Sequence, residues 1–452
     1  MRSEELTQAL SKDPRKHSVQ PGSRAYRPPK FYDKRDKGFK MKTIHISKKC
    51  KTNSEKTQDI YNLATRSSLL TPHSSLIPLL ALLITSASFA MDVVTVKTDG
   101  GEKTLEGEII VNAKDGGIVI RDAMNFLHPV TPDNIVSKTS DDRPFAYSTA
   151  SEIKEKMLKE LPTGFKVFES KHYLIFYETS EAFARWTAQL FENLHNVFYN
   201  FWTSNGMKLS ESPTPLIAII FADSKEYVRF CKDELGEAGA SIIGYYSMQS
   251  NRVNLFDLTG ADDLNQRASN RVSEAAKIRN LLAQPDAGRM VATIVHEATH
   301  QLAYNSGMQV RYADMPRWLS EGIAMYFETP NLKSSSGWGS LGKDNPARLR
   351  LIKQRLPRRN PEAIKMMITD DALFTNLEIA EEAYAEAWGL TWLLIKRNPK
   401  KFVQYLNIMS EKTPFVWDSS EERMEEFEKC FGSWVDVNRA FVNVMKSKRI
   451  PR

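Results

Sequence analysis

The sequence predicts an α+β protein in three parts: a small all-β module, a mixed α+β domain, and a helical C-terminal part. Three observations carry this. Between 92 and 138, short β-branched runs alternate with DGG turns at 99–101 and 115–117. Between 165 and 258, apolar strand-like runs alternate with amphipathic stretches. From 287 the apolar residues keep a helical step almost to the end, and no internal repeat is apparent.

The 452 residues are 26% charged and 41% hydrophobic, a composition that excludes a collagen, a polytopic membrane protein or a wholly disordered chain. Three cysteines exclude a disulfide-built scaffold; Cys231 and Cys430 either pair or stay buried and free. The net charge of +7 is local: residues 1–74 hold 17 basic and 7 acidic groups, whereas 91–452 hold 45 and 48. The folded part therefore gives no ground for nucleic-acid binding.

Residues 1–74 read as a basic leader, disordered or mis-annotated, with Met41 as an alternative start. LIPLLALLI (76–84) then leads into TSASFA, with Ser88 and Ala90 at −3 and −1 of a cleavage site, the pattern of a secretory signal peptide over 75–90. The run falls short of the roughly 20 apolar residues a bilayer span needs. The expected destination is periplasmic, cell-envelope or secreted, after cleavage near Ala90 and with no stable membrane span. An uncleaved anchor and a cytoplasmic tail are the rival readings.

The element expectations run in order. The 92–138 module reads as a small SH3-like barrel. A linker and short helix fill 139–164, with TSDDRPFAYSTAS (139–151) as linker. The α+β domain covers 165–330. Its strands are VFES and HYLIFYE within 167–178 and TPLIAIIFA at 214–222. The helix 180–203 carries Phe183, Trp186, Leu190, Leu194, Val197 and Phe201 on one face, with Ser180 as cap and Asn205-Gly206 as stop. Asp223 opens the next helix, 241–258 is a hairpin around Gln249–Asn251, and 260–286 is an inserted loop with some helix. Residues 331–448 form the helical subdomain, including EEAYAEAWGLTWLLIKR (381–397).

The chemistry lies in VATIVHEATHQLAYNS (291–306), where His296-Glu297-Ala298-Thr299-His300 is an HExxH. On a helix, i and i+4 share a face, so both imidazoles can address one metal. Glu297, one residue round, stands where a general base belongs. By chance the motif arises in roughly one such chain in a hundred, but this one has a companion. In PRWLSEGIAMYFE (316–328), Pro316 suits a helix start and Gly322 allows close helix approach. A turn around Asn305–Gly307 returns that helix antiparallel to the first. Glu321 then completes a two-His, one-carboxylate zinc site.

Other ligands are weaker. HExxHxxGxxH would need Gly and His where Ala303 and Ser306 stand, and Asp314 lacks a helical setting. His195 reads as a structural histidine, and His172 as structural or pocket-lining. Glu328, two turns after Glu321, either orients a ligand His or is an ordinary helix Glu. Strand 251–256 is either an edge strand for an extended peptide or an ordinary strand. Tyr384 is the first choice of oxyanion donor and Tyr245 the second.

WLSEGIAMYFE resembles the WLxEGxAxYxE segment that follows HExxH in the gluzincin, peptidase-MA-like, zinc metallopeptidases. From about 165 to 445 the chain is similar to an exported bacterial family of domains of unknown function in that superfamily. The shared stretches are HYLIFYE, GYYSMQSNRVNLFD, HEATHQLAYNSG, PRWLSEGIAMYFE and YAEAWGLTWLL. The resemblance implies a thermolysin-like catalytic domain, one Zn2+ per chain held by His296, His300 and Glu321, and Glu297 as general base. No GxMEN-type segment precedes the motif, and Met325 stands where thermolysin's ExxxD pattern has Asp. The expectation is therefore an endopeptidase acting on peptide or protein substrates. The alternatives are a non-catalytic binding or envelope-structural protein on the same fold, and a zinc amidase acting on cell-wall fragments.

Overall fold

The structure, a computed structural model, describes residues 90–98, 100–257, 274–339, 341–376 and 378–451. The leader, the apolar run up to Phe89 and loop residues 258–273 lie outside these. Among the described residues the fold is α+β with two five-stranded sheets.

The first sheet comprises β1 (Ala90–Thr98), β2 (Gly101–Asn112), β3 (Ile118–Arg121), β4 (Leu127–Val130) and β5 (Ile135–Pro144), in the order β4-β3-β2-β1-β5, all antiparallel. The turns fall at the DGG signals, where Gly101 and Gly116 take φ of 114° and 93°. Val94, Val96, Leu105, Ile118, Ile120 and Val130 close a small core. One expectation needs correcting. The linker does not begin at 139, because Asp141, Ser140 and Thr139 pair with β1, and β5 runs to Pro144. Its polar composition reflects a strand largely exposed to solvent, where alternation carries no apolar signal.

Thr149 and Glu152 form a capping box that starts α1 (Ala150–Glu160). The second sheet holds β6 (Lys166–Glu169), β7 (Tyr173–Tyr177), β8 (Leu216–Phe221), β9 (Gly244–Tyr246) and β10 (Arg252–Phe256), ordered β6-β7-β8-β10-β9. β7, β8 and β10 run parallel, and β6 and β9 flank them antiparallel. Parallel neighbours need crossovers. These are α2 (Glu181–Ser204), capped by Ser180 and stopped at Gly206 with φ of 94°, and α3 (Ser224–Phe230), capped by Asp223, with the short α4 (Lys232–Leu235). Both faces of the sheet are covered, which explains the unbroken apolar run LIAIIF. Tyr173, Ile175, Ala218, Ile220 and Tyr246 face the main core, while Leu174, Phe176, Ile219, Phe221 and Tyr245 face a second core under α1 and α3.

At this end of the sheet the edge strand is β9, not 251–256: β10 sits between β8 and β9. The hairpin expected around Gln249–Asn251 is present between β9 and β10, but which arm is outermost depends on a parallel pairing with β8 that local sequence does not encode.

Beyond α5 (Glu274–Leu282) the chain is helical. α6 (Ala287–Asn305) and α7 (Arg317–Phe327) carry the two motifs. Then follow α8 (Pro346–Arg355), α9 (Ala363–Thr369), α10 (Ala372–Thr375), α11 (Ala380–Arg397), α12 (Pro399–Ser410), α13 (Ser420–Phe431) and α14 (Trp434–Ser447). Among the described residues no helix is long and apolar enough to cross a membrane. Cys231 and Cys430 are buried and unpaired.

Gly322 does permit a close approach, and its partner is α11. A Cβ at 322 would overlap the Thr391 hydroxyl and come within 2.9 Å of the Ala387 carbonyl. Gly322→Ala should therefore lower unfolding free energy by about 1–3 kcal/mol, measured by chemical denaturation. An unchanged midpoint would refute this packing.

Candidate metal centre

α6 is locked to the sheet before it presents any ligand. Buried Gln301 donates from Nε2 to the carbonyls of Ile217 (3.0 Å) and Asn251 (2.9 Å). His296 and His300 then emerge one turn apart on the same side. α7 brings Glu321 to them: its Oε2 lies 3.2 Å from His296 Nε2 and 3.8 Å from His300 Nε2. The two ring nitrogens are 3.2 Å apart. His296 also meets Glu328, and His300 meets Ser320, so the two helices run in opposite directions.

Two groups among the described residues could hold a metal: His296, His300 and Glu321, and His172, His195 and Glu211. Ring orientation separates them, because imidazole binds a metal through an in-plane lone pair. The His296 and His300 rings cross at 77°, so their planes can share one point beside both nitrogens. His172 and His195 stack with centroids 3.8 Å apart at 11°, and near-parallel planes share no such point. His172 Nδ1 is 2.6 Å from Glu192, and His195 is buried between His172 and Tyr199. That placement agrees with the structural role expected of His195.

Glu328, 6% exposed, places Oε2 2.8 Å from His296 Nδ1 and accepts from Arg348 Nε (2.9 Å) and Asn345 Nδ2 (3.3 Å) through Oε1. It therefore orients His296, the geometry that the first of its two expected roles requires. Burial works against charge on Glu328, but Arg348 and His296 outweigh it and hold the carboxyl below its usual range. Burial likewise opposes charge on Glu321, and the two imidazoles hold it well below normal. His296 feels the reverse: burial pulls it down, but Glu321 and Glu328 push it up to about 10.

Glu297 is no member of the trio. One of its oxygens accepts the Tyr246 backbone N–H at 2.8 Å. Burial raises its pKa, and the His296 and His300 charges pull against that rise. Several neighbours escaped sequence reasoning. Ser320 Oγ is 3.4 Å from His300 Nδ1 and donates to Gln309. Tyr304 stacks on Tyr246 at 5.6 Å, and burial pushes its phenol up to about 12. Tyr304 could have been found, since it stands four residues after His300. Arg348 could not, since no local spacing links α8 to α7.

The two oxyanion candidates part company. Tyr384, buried on α11 against Phe374, senses the charges of Glu321 and Glu297, which add to burial in raising its pKa. Tyr245 points to the opposite sheet face and donates to Glu234 at 2.7 Å, so it is withdrawn as a candidate. One-residue alternation along a strand, Tyr246 in and Tyr245 out, decides this. Asp314 is likewise no ligand: it is buried in a pair with Arg423 and accepts the Asp418 N–H.

Residues 290–416 match the family described as "Protein of unknown function (DUF1570)". The DUF1570 stretch contains His296, Glu297, His300, Glu321, Glu328 and Tyr384, and it begins after both sheets. A comparison with curated proteins finds no match.

Two outcomes are expected of this centre. Glu328→Gln should weaken metal binding about 10–100-fold, read by competition with a chromophoric chelator; wild-type affinity would remove Glu328 from the site. Metal must also displace the proton that His296 holds up to about 10. Metal affinity should therefore drop about tenfold for each pH unit below that value. A flat profile between pH 6 and 8 would contradict the proton–metal competition.

Proposed function

We propose that this chain is an exported zinc-dependent metallopeptidase, an endopeptidase on a gluzincin-type α+β domain, preceded by an SH3-like module. The reading rests on one observation. A half-buried carboxylate, Glu297, adjoins a His-His-Glu trio without belonging to it, and Tyr246 holds it there. A purely structural metal site has no use for such a group. The strand order β4-β3-β2-β1-β5 supports the SH3-like reading of the module.

His296, His300 and Glu321 would hold the zinc, with Glu328 and Ser320 fixing the two imidazoles. When bound, zinc lowers the pKa of water and polarises a carbonyl. Glu297 takes a proton from the attacking water and returns it to the leaving amine. β9 has one sheet neighbour, and its Tyr246 N–H turns to Glu297. An extended peptide added along that edge passes beside the base. Tyr384, placed where it senses Glu321 and Glu297, is the donor for the developing oxyanion.

Zinc-loaded protein should cleave internal bonds of a peptide library. Glu297→Gln should keep its zinc while turnover falls about 10²–10⁴-fold. Equal turnover in the variant would dismiss Glu297 as base. Digestion of cell-wall fragments without peptide cleavage would replace the peptidase by an amidase.

A further inference from the structure

The tip between β3 and β4 in the first sheet meets the β9–β10 hairpin of the second. Asp122 shapes that tip by accepting the N–H groups of Met124 (2.9 Å) and Phe126 (3.0 Å) on Oδ1. Asn125 at its apex is buried and has φ of 64°. The hairpin it touches has its own buried asparagine in the same region, Asn251 with φ of 62°. Non-glycine residues rarely occupy that region, and two in contacting turns mark a junction held in place by its surroundings.

The bonds across the junction are specific. Leu127 N–H donates to the Gln249 carbonyl at 2.8 Å. Arg311, half-buried in the α6–α7 connection, donates from Nη1 to the carbonyls of Asn125 (3.0 Å) and Met248 (3.1 Å), and from Nη2 to Asn125 Oδ1. One guanidinium thus grips the tip and the hairpin together. Asn305, at the end of α6, exchanges amide bonds with Asn251 at 2.8 and 2.7 Å and lies 3.4 Å from Asn125 Nδ2. Asn251 Oδ1 accepts the Tyr246 hydroxyl at 2.8 Å. The next link is the Tyr246 N–H on Glu297.

We infer that the module is a brace for the site: through Asn125 and Arg311 it fixes the 246–252 hairpin, and the hairpin fixes Glu297. This rests on the proposed role of Glu297 for its effect on turnover, but not for its structural content. Asn125 and Arg311 are positioning residues, since both act through Tyr246. The module's role is then to hold a short edge strand that has one hydrogen-bonded neighbour and would otherwise fray.

The test is hydrogen–deuterium exchange of the full chain, read on fragments covering 244–252, with zinc content and hydrolysis measured alongside. Asn125→Gly removes the amide and keeps a residue suited to positive φ. Arg311→Gln removes the grip from the other side. In both, exchange at 244–252 should quicken about tenfold, while β7, β8 and zinc content stay as in the parent. Asn125→Asp, which keeps the acceptor for Arg311, should restore slow exchange. Under the peptidase reading, kcat should fall with KM nearly unchanged. Unaltered exchange at 244–252, or acceleration spread evenly over both sheets, would overturn the brace. Exchange needs no substrate, so an inactive parent protein would sink the peptidase reading and leave this result standing.

Discussion

The structure depends on how a cluster of buried charges is balanced. Glu297, Glu321 and Glu328 are withdrawn from water together with two imidazoles and the Arg348 guanidinium. Isolated carboxylates cannot be buried this way at tolerable cost; each needs an opposite charge and hydrogen bonds. Arg348 answers one of the three. The others rely on the imidazoles beside them, which is why Glu321 is held so low and His296 so high. A divalent cation at the crossing of the two ring planes would supply the same positive charge from a single atom.

The remainder of the fold can be understood as what holds these groups in register. Gln301 fastens α6 to β8 and to the hairpin turn before β10, so the imidazoles cannot turn about the helix axis. Gly322 lets α11 press on α7 from behind, which keeps Glu321 facing forward. Trp318, Leu319, Ile323 and Phe327 sink the other side of α7 into the main core. The sheet contributes a backbone amide, aimed by the edge position of β9. Rigid elements thus bear the three candidate ligand side chains, and a short strand bears the group that meets Glu297.

Much of the centre was legible in the sequence because it is local. Two histidines four apart on a helix, a glutamate early in the next helix, and Glu328 seven residues later are spacings along one or two helices. The helices were legible too, since amphipathic period and caps such as Ser180 and Asp223 act within a turn or two. What failed was non-local. Strand 251–256 and β9 look equally suited to an edge until the pairing with β8 is known. Tyr245 and Tyr246 are neighbours in sequence on opposite faces of the sheet. Arg348 reaches Glu328 from another helix, and the buried Asp314–Arg423 pair spans over a hundred positions. The polar strand at 139–144 gave no sign of itself because solvent covers most of it.

The most direct measurement is an anomalous-scattering map at the zinc edge from crystals grown with equimolar zinc. The account predicts one ion about 2.0–2.2 Å from His296 Nε2, His300 Nε2 and a Glu321 oxygen. A map with no peak there, or with its ion at His172, His195 and Glu211 instead, would contradict it.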